Sequence, residues 1–158
     1  MSVFLCDSCF VIALADNTEP MHKNSCDYLN SHKVGHYFLI PYPSMFETLS
    51  ERMVANPLAM IRLSQIFLNN TDVNVAYISD SRYRNVSLFE CMNDRKNIDR
   101  HLSFVDTIIR NMVKSRNIRK DGLITFNDDD FKDVCTQNGV ELISFANKKE
   151  NKLIKQSL

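Results

Sequence analysis

Five short apolar runs, each four or five residues long, alternate with longer segments of helical periodicity, and this alternation restricts the fold more than any other feature. The runs are Val3–Cys6, Tyr37–Ile40, Asn74–Ile78, Leu123–Phe126 and Val140–Ser144. Between them, Cys9–Ala15 starts a helix and Asp16–Pro20 breaks it. His22–Ser31 is a second helix, with Cys26 and Leu29 on one face. Ser44–Ala55 is predicted as one helix, with Met45, Leu49 and Met53 aligned. Pro57 suits the first position of the next, which runs to about Leu68. A helix is expected over 81–92 and a polar loop or short helix over 93–100. Phe104, Ile108, Ile109, Met112 and Val113 form one stripe within Leu102–Arg116, and Asp130–Gln137 is a short helix. Strands that alternate with helices imply an α/β fold with a mostly parallel sheet covered on both faces. No repeat or linker divides the chain, so residues 1–146 are expected to form one domain, with 147–158 as a lysine-rich tail.

Composition narrows the function. Hydrophobic residues make up 44% and charged residues 24% of 158, enough for a full core. Only three glycines occur, and neither G-x-G-x-x-G nor a P-loop pattern is present. The formal net charge is +0, so no global field draws the chain to nucleic acid, and RNA would have to be held by a local patch. Five cysteines are an odd set in a chain with a full core, which fits a reducing, cytoplasmic setting. Ala13-Leu14-Ala15 has the small residues of a signal-peptidase site, yet no basic stretch precedes it and Asp7 interrupts the apolar run, so no signal peptide is expected. No apolar run approaches the ~20 residues of a membrane span.

Four acidic positions carry the chemistry: Asp7, Glu47, Asp106 and the run Asp128-Asp129-Asp130. Asp7 and the run directly follow strands. Glu47 opens a helix after the second strand. In a parallel sheet, such positions belong at the carboxyl edge, where ligands bind. Each acid also has a plain structural role available. Ser44-Met45-Phe46-Glu47 and Ser103-Phe104-Val105-Asp106 both read as capping boxes. Asn127 could cap the last helix, with the acids after it favoured by the helix dipole. Asp7 has the weakest such role, because Ser8 beside it is the better cap. Carboxylates gathered at one edge would repel, and a hard divalent cation with oxygen ligands relieves that repulsion. His22, His32, His36 and His101 are scattered, which favours Mg²⁺ or Mn²⁺ over zinc.

The segments Val-Phe-Leu-Cys-Asp7-Ser8, Pro43-Ser-Met-Phe-Glu47, Leu-Ser103-Phe-Val-Asp106 and Leu-Ile-Thr125-Phe-Asn-Asp128-Asp-Asp130 resemble a PIN domain over residues 2–145. The resemblance implies a three-layer α/β/α sandwich. It also implies a metal-dependent endoribonuclease with Asp7, Glu47, Asp106 and Asp128 as catalytic and metal-binding acids. Asn127 stands where many relatives carry the fourth acid, so Asp128 is the first choice for it and Asp130 the second. Ser8, Ser103, Thr125, Asn127 and Asp130 would support the acids. Small PIN proteins of the VapC type are toxins of toxin–antitoxin pairs. That implies an RNA substrate, an antitoxin partner inserted near the acids, and a homodimer.

Three other classes are open to this sequence. A PIN-like fold without activity would serve as a scaffold, and Asn127 keeps that reading open. Cys6-Asp7-Ser8-Cys9 is a C-x-x-C at a strand–helix junction, the place of a dithiol redox site. Two buried cysteines flanking Asp7 are the plainer account. A phosphoacceptor receiver domain would need a lysine after a later strand, and none follows Val75–Ile78 or Leu123–Phe126 suitably. Arg52, Arg82 and Arg84 are the foremost candidates for RNA contact, with Arg62, Arg95 and Arg100 behind them. Tyr83 could stack on an unpaired base. Lys148, Lys149, Lys152 and Lys155 could hold RNA or simply solvate the tail.

Overall fold

The computed structural model describes residues 1–68, 73–95 and 99–145. The lysine-rich tail and part of the 93–100 segment lie outside the described residues. Five strands are present: β1 (Val3–Cys6), β2 (Tyr37–Pro41), β3 (Asn74–Ile78), β4 (Gly122–Ile124) and β5 (Glu141–Ile143). Among the described residues there are eight helices. The first five are α1 (Ser8–Ala15), α2 (His22–His32), α3 (Tyr42–Thr48), α4 (Glu51–Val54) and α5 (Pro57–Phe67). The rest are α6 (Arg84–Asn93), α7 (Phe104–Lys114) and α8 (Asp128–Asn138).

All four strand pairings are parallel, in the order β3-β2-β1-β4-β5. Strand β1 is central, and every residue of it is buried. This is why its sequence is an unbroken apolar run and not an alternating one. Its side chains divide between two cores. Phe4 and Cys6 join Phe10, Leu14, Leu29, Phe38 and Leu63 on one face. Leu5 joins Ile108, Met112, Leu123 and Phe131 on the other. Helices α1, α2, α4 and α5 therefore cover one face and α7 and α8 the other, a three-layer α/β/α sandwich. Each fully buried Leu, Ile or Phe contributes about 1.5–3 kcal/mol.

The sheet runs outward from β1 through β2 to β3, then resumes on the other side with β4 and β5. This reversal leaves a crevice above the carboxyl ends of β1 and β4. Asp7 follows one of those strands and Thr125 the other.

Several boundaries differ from expectation. The single helix over 44–55 is two. Helix α3 starts at Tyr42, because Pro43 tolerates the first turn, where its missing N–H has no partner to lose. It stops at Leu49, and Ser50 turns extended to open α4. Ser44 therefore lies inside a helix, buried, and Ser44–Glu47 is not a capping box. Residues 81–83 form a turn, so α6 begins only at Arg84. Helix α8 begins at Asp128, two residues earlier than expected.

Candidate active site

Asp7 leaves β1 in an extended conformation and is itself the N-cap of α1. Its Oδ1 accepts the Ser8 N–H at 2.7 Å. This reverses the expectation that Ser8 would cap. Backbone ψ at Asp7 is 159°, the extended geometry of a cap, and Ser8 is already the first helical residue. Ser8 does other work: its hydroxyl donates to Glu47 Oε2 at 2.6 Å. Across the crevice, Thr125 Oγ1 donates to Asp7 Oδ2 at 2.8 Å and accepts the Asn127 N–H at 3.1 Å. Cys9 Sγ reaches Asp7 Oδ2 at 3.3 Å and accepts the Phe126 N–H at 3.3 Å. One chain of contacts thus links Asn127, Thr125, Asp7, Ser8 and Glu47 over the ends of β1 and β4.

Asp106 stands at the start of α7 in a full capping box: its Oδ2 accepts the Ser103 N–H, and Ser103 Oγ accepts the Asp106 N–H. It joins the others through its field and not through a shared bond. Asp7 is 2% exposed, and burial pushes its carboxyl above the usual range. The charge of Asp106 adds to that push, against the bonds from Thr125, Cys9 and Ser8. Glu47 is raised first by burial and then by the charges of Asp7 and Asp106, while Ser8 opposes. Asp130 is raised by burial and by Asp106, against Arg110. The Asp130 carboxyl thus feels the charge of Asp106. Asp128, with one carboxylate oxygen buried, lies one position further along α8 than Asn127. The Asn127 side chain caps nothing.

Other acids in the molecule are treated differently. Asp16 is paired to Arg52, Asp80 to Arg84, and Asp133 to both Arg110 and Arg100. Each of the three is held below the usual carboxylate range, chiefly by its hydrogen bonds. Among the described residues, no arginine or lysine forms an ion pair with Asp7, Glu47 or Asp106. Buried, mutually repelling carboxylates without a cationic partner are suited to a hard divalent ion. No three acidic, histidine or cysteine side chains among the described residues yet converge on one coordinating point. The Asp106 capping bond and the Thr125 bond to Asp7 each occupy a carboxylate oxygen that an ion would draw on.

The surroundings of the C-x-x-C do not favour a redox role. Cys6 and Cys9 are free, and burial followed by the charge of Asp7 pushes both thiols upward. A dithiol catalyst needs the opposite shift, because the thiolate is the nucleophile. Cys9 instead supports Asp7, a role that the spacing alone did not assign.

The candidate RNA-contact residues are dispersed. Arg52 is paired with Asp16 and Glu19, at the far end of α1 from Asp7. Arg62 donates to the Ala15 carbonyl. Arg82 is exposed in the turn before α6. Arg84 lines a cavity of about 580 Å³ together with Glu47, Phe46 and Phe104. Tyr83 is not a free stacking ring: its hydroxyl donates to Ser115 at 2.9 Å and its ring packs on the second core. Asp80 escaped the sequence reading. It ends the β3 connection at the same sheet edge, and its i,i+4 spacing to Arg84 was the available signal.

No family model matches the sequence, and no curated protein matches it. Solved structures do. The chain is similar in fold to the VapC20 toxin of Mycobacterium tuberculosis, which cleaves the sarcin–ricin loop. Identity is 17% and the TM-score 0.59, over 84% of this chain and 95% of that one. It is also similar to VapBC2 from Rickettsia felis, solved bound to a DNA fragment from its promoter. There identity is 13% and the TM-score 0.56, over 90% and 98%. The chain has the PIN-like α/β/α fold of these VapC structures.

Proposed function

We propose that this chain is a divalent-metal-dependent endoribonuclease and the toxin of a type II toxin–antitoxin pair, acting in the cytoplasm. The observation that carries the reading is the contrast among acids. Among the described residues, Asp7 and Glu47 are buried or partly buried, raised and without an ion pair, while Asp16, Asp80 and Asp133 are each paired with arginine. Asp7 and Asp106 would hold Mg²⁺ or Mn²⁺, with Asp128 or Asp130 completing the set. The bound ion would supply an activated water and offset charge on the phosphodiester. Thr125, Cys9 and the Ser8 N–H keep the Asp7 carboxylate fixed. Ser8 holds Glu47 by one oxygen, and the upward shift of the Glu47 carboxyl makes it a stronger proton acceptor than an ordinary carboxylate. In hydrolysis the water oxygen bonds to phosphorus, the phosphorus–oxygen ester bond breaks, and the leaving oxygen takes up a proton.

The VapC20 neighbour is a toxin that cleaves the sarcin–ricin loop, and the VapBC2 neighbour is bound to a DNA fragment from its promoter. These support an RNA substrate and an antitoxin partner for this chain. In our proposal the partner also inserts near the acids, and the chain forms a homodimer. The capping box of Asp106 and the presence of Asn127 favour a second reading, an inactive PIN-like scaffold. Cleavage assays separate the two. Structured RNAs are incubated with the protein and Mg²⁺ or Mn²⁺, with and without chelator, beside Asp7→Asn. Cleavage that chelator and Asp7→Asn both abolish is expected. No cleavage of any RNA supports the scaffold, and cleavage that survives Asp7→Asn overturns the assignment of the acids.

A further inference from the structure

Three exposed aromatic rings form a row that begins beside Glu47 and runs toward edge strand β3. Phe46 immediately precedes Glu47 and is 66% exposed, while Tyr42 is 44% and Tyr77 42% exposed. Phe46 and Tyr42 lie four residues apart on α3 and so share a face. Their ring centroids are 6.2 Å apart with planes inclined by 26°. Tyr42 in turn faces Tyr77 of β3 at 6.3 Å and 24°. The three rings are thus near-parallel and open to solvent. A contiguous exposed patch of large apolar side chains marks a contact surface.

At its Glu47 end the row opens into the 580 Å³ cavity. Arg84 is fixed there by Asp80, to which its Nε and Nη2 donate at 2.7 and 2.8 Å. A guanidinium clamped in this bidentate way presents a planar face and, among the described residues, an Nη1 with no hydrogen bond. Such a group can lie over a base or donate to a phosphate. The formal net charge is +0, so affinity for RNA cannot come mainly from the overall field. Stacking on aromatic faces supplies affinity without it.

We propose that Phe46, Tyr42 and Tyr77 form a stacking platform for an unpaired RNA segment flanking the scissile phosphodiester, with Arg84 engaging the nucleotide nearest Glu47. The proposal rests on the nuclease reading and names the part of the substrate that the site recognises. Its preference is for single-stranded over duplex RNA, because paired bases do not offer their faces to the row.

The test uses the full chain and a short fluorescein-labelled RNA without self-complementarity, in chelator so that it stays intact. Anisotropy gives the affinity for wild type, for Phe46→Leu, Tyr42→Leu and Tyr77→Leu, and for the ring-retaining Tyr42→Phe and Tyr77→Phe. The same strand annealed to its complement is the control. The chain has no tryptophan, so tyrosine emission gives a second readout. Each leucine variant is expected to bind roughly tenfold more weakly. The phenylalanine variants bind as wild type does, and RNA quenches tyrosine emission less in Tyr42→Leu. Equal binding by wild type and leucine variants overturns the platform and leaves the row to an apolar protein segment, which leucine would still satisfy. If those leucine variants also cleave structured RNA normally with Mn²⁺, the nuclease reading stands alone. A wild-type protein that neither binds nor cleaves RNA overturns both.

Discussion

At the residue scale the site is decided by what each carboxylate lacks. Among the described residues, Asp133 sits against two arginines and Asp7 against none, although both are largely or partly buried. The fourth acidic position, Asp128 or Asp130, is open to direct test. Asp130 feels the charge of Asp106, so its removal disturbs the shared field. Asp130→Asn is expected to lower kcat for RNA cleavage by roughly ten- to a hundredfold, within the range of a lost electrostatic or proton-transfer group. Asp128→Asn should cost less. Steady-state cleavage of one RNA by the two variants checks this, and the reverse order would give the fourth position to Asp128. Asp7 shows why a single residue reads ambiguously. Its neighbour Ser8 reads as the better capping residue, and only the backbone turn at the strand end makes Asp7 the cap.

At the element scale the parallel sheet tolerates little change where β4 enters between β1 and β5. A Cβ on Gly122 would lie 2.8 Å from Ile143 Cδ1, 3.1 Å from Phe4 Cδ1 and 3.2 Å from the Glu141 carbonyl oxygen. The last contact is backbone and cannot swing aside. Gly122→Ala is expected to cost about 1–3 kcal/mol in urea unfolding, the range for overpacking a core. It should also loosen Thr125, three residues on. The strands were legible in the sequence because each is a continuous apolar run, and α7 because its stripe is strongly periodic. The division of 44–55 was not, since Met45, Leu49 and Met53 keep helical spacing across the Leu49–Ser50 bend. The stripe also misled at Phe104, which is 40% exposed beside the cavity and not in the core. Periodicity reports which face is apolar but not whether a neighbour covers it. The aromatic row was invisible for a related reason, because Tyr77 meets Tyr42 only through β2–β3 pairing.

At the scale of the whole molecule the acids divide into two sets with opposite pH dependence. Asp7 and Glu47 are raised on folding, so their contribution is fully present below about pH 4 and is lost as pH rises through their folded values. Asp16, Asp80 and Asp133 are lowered, so theirs is present above that range and lost as pH falls. In chelator, wild-type stability should therefore decline from mildly acid toward neutral pH, and Asp7→Asn should flatten that decline. Thermal melts of both proteins across this interval read it directly. Mn²⁺ should restore the neutral-pH stability of wild type alone, because a ligand that binds only the folded state raises its melting temperature.

The proposed activity requires the carboxyl edge above β1 and β4 to hold a divalent cation. Mn²⁺ binding followed by electron paramagnetic resonance at neutral pH tests it without any choice of RNA. The free-ion signal should fall on titration into wild type, and Asp7→Asn should leave it essentially undiminished. Equal uptake by both proteins, or none by wild type, would contradict the account.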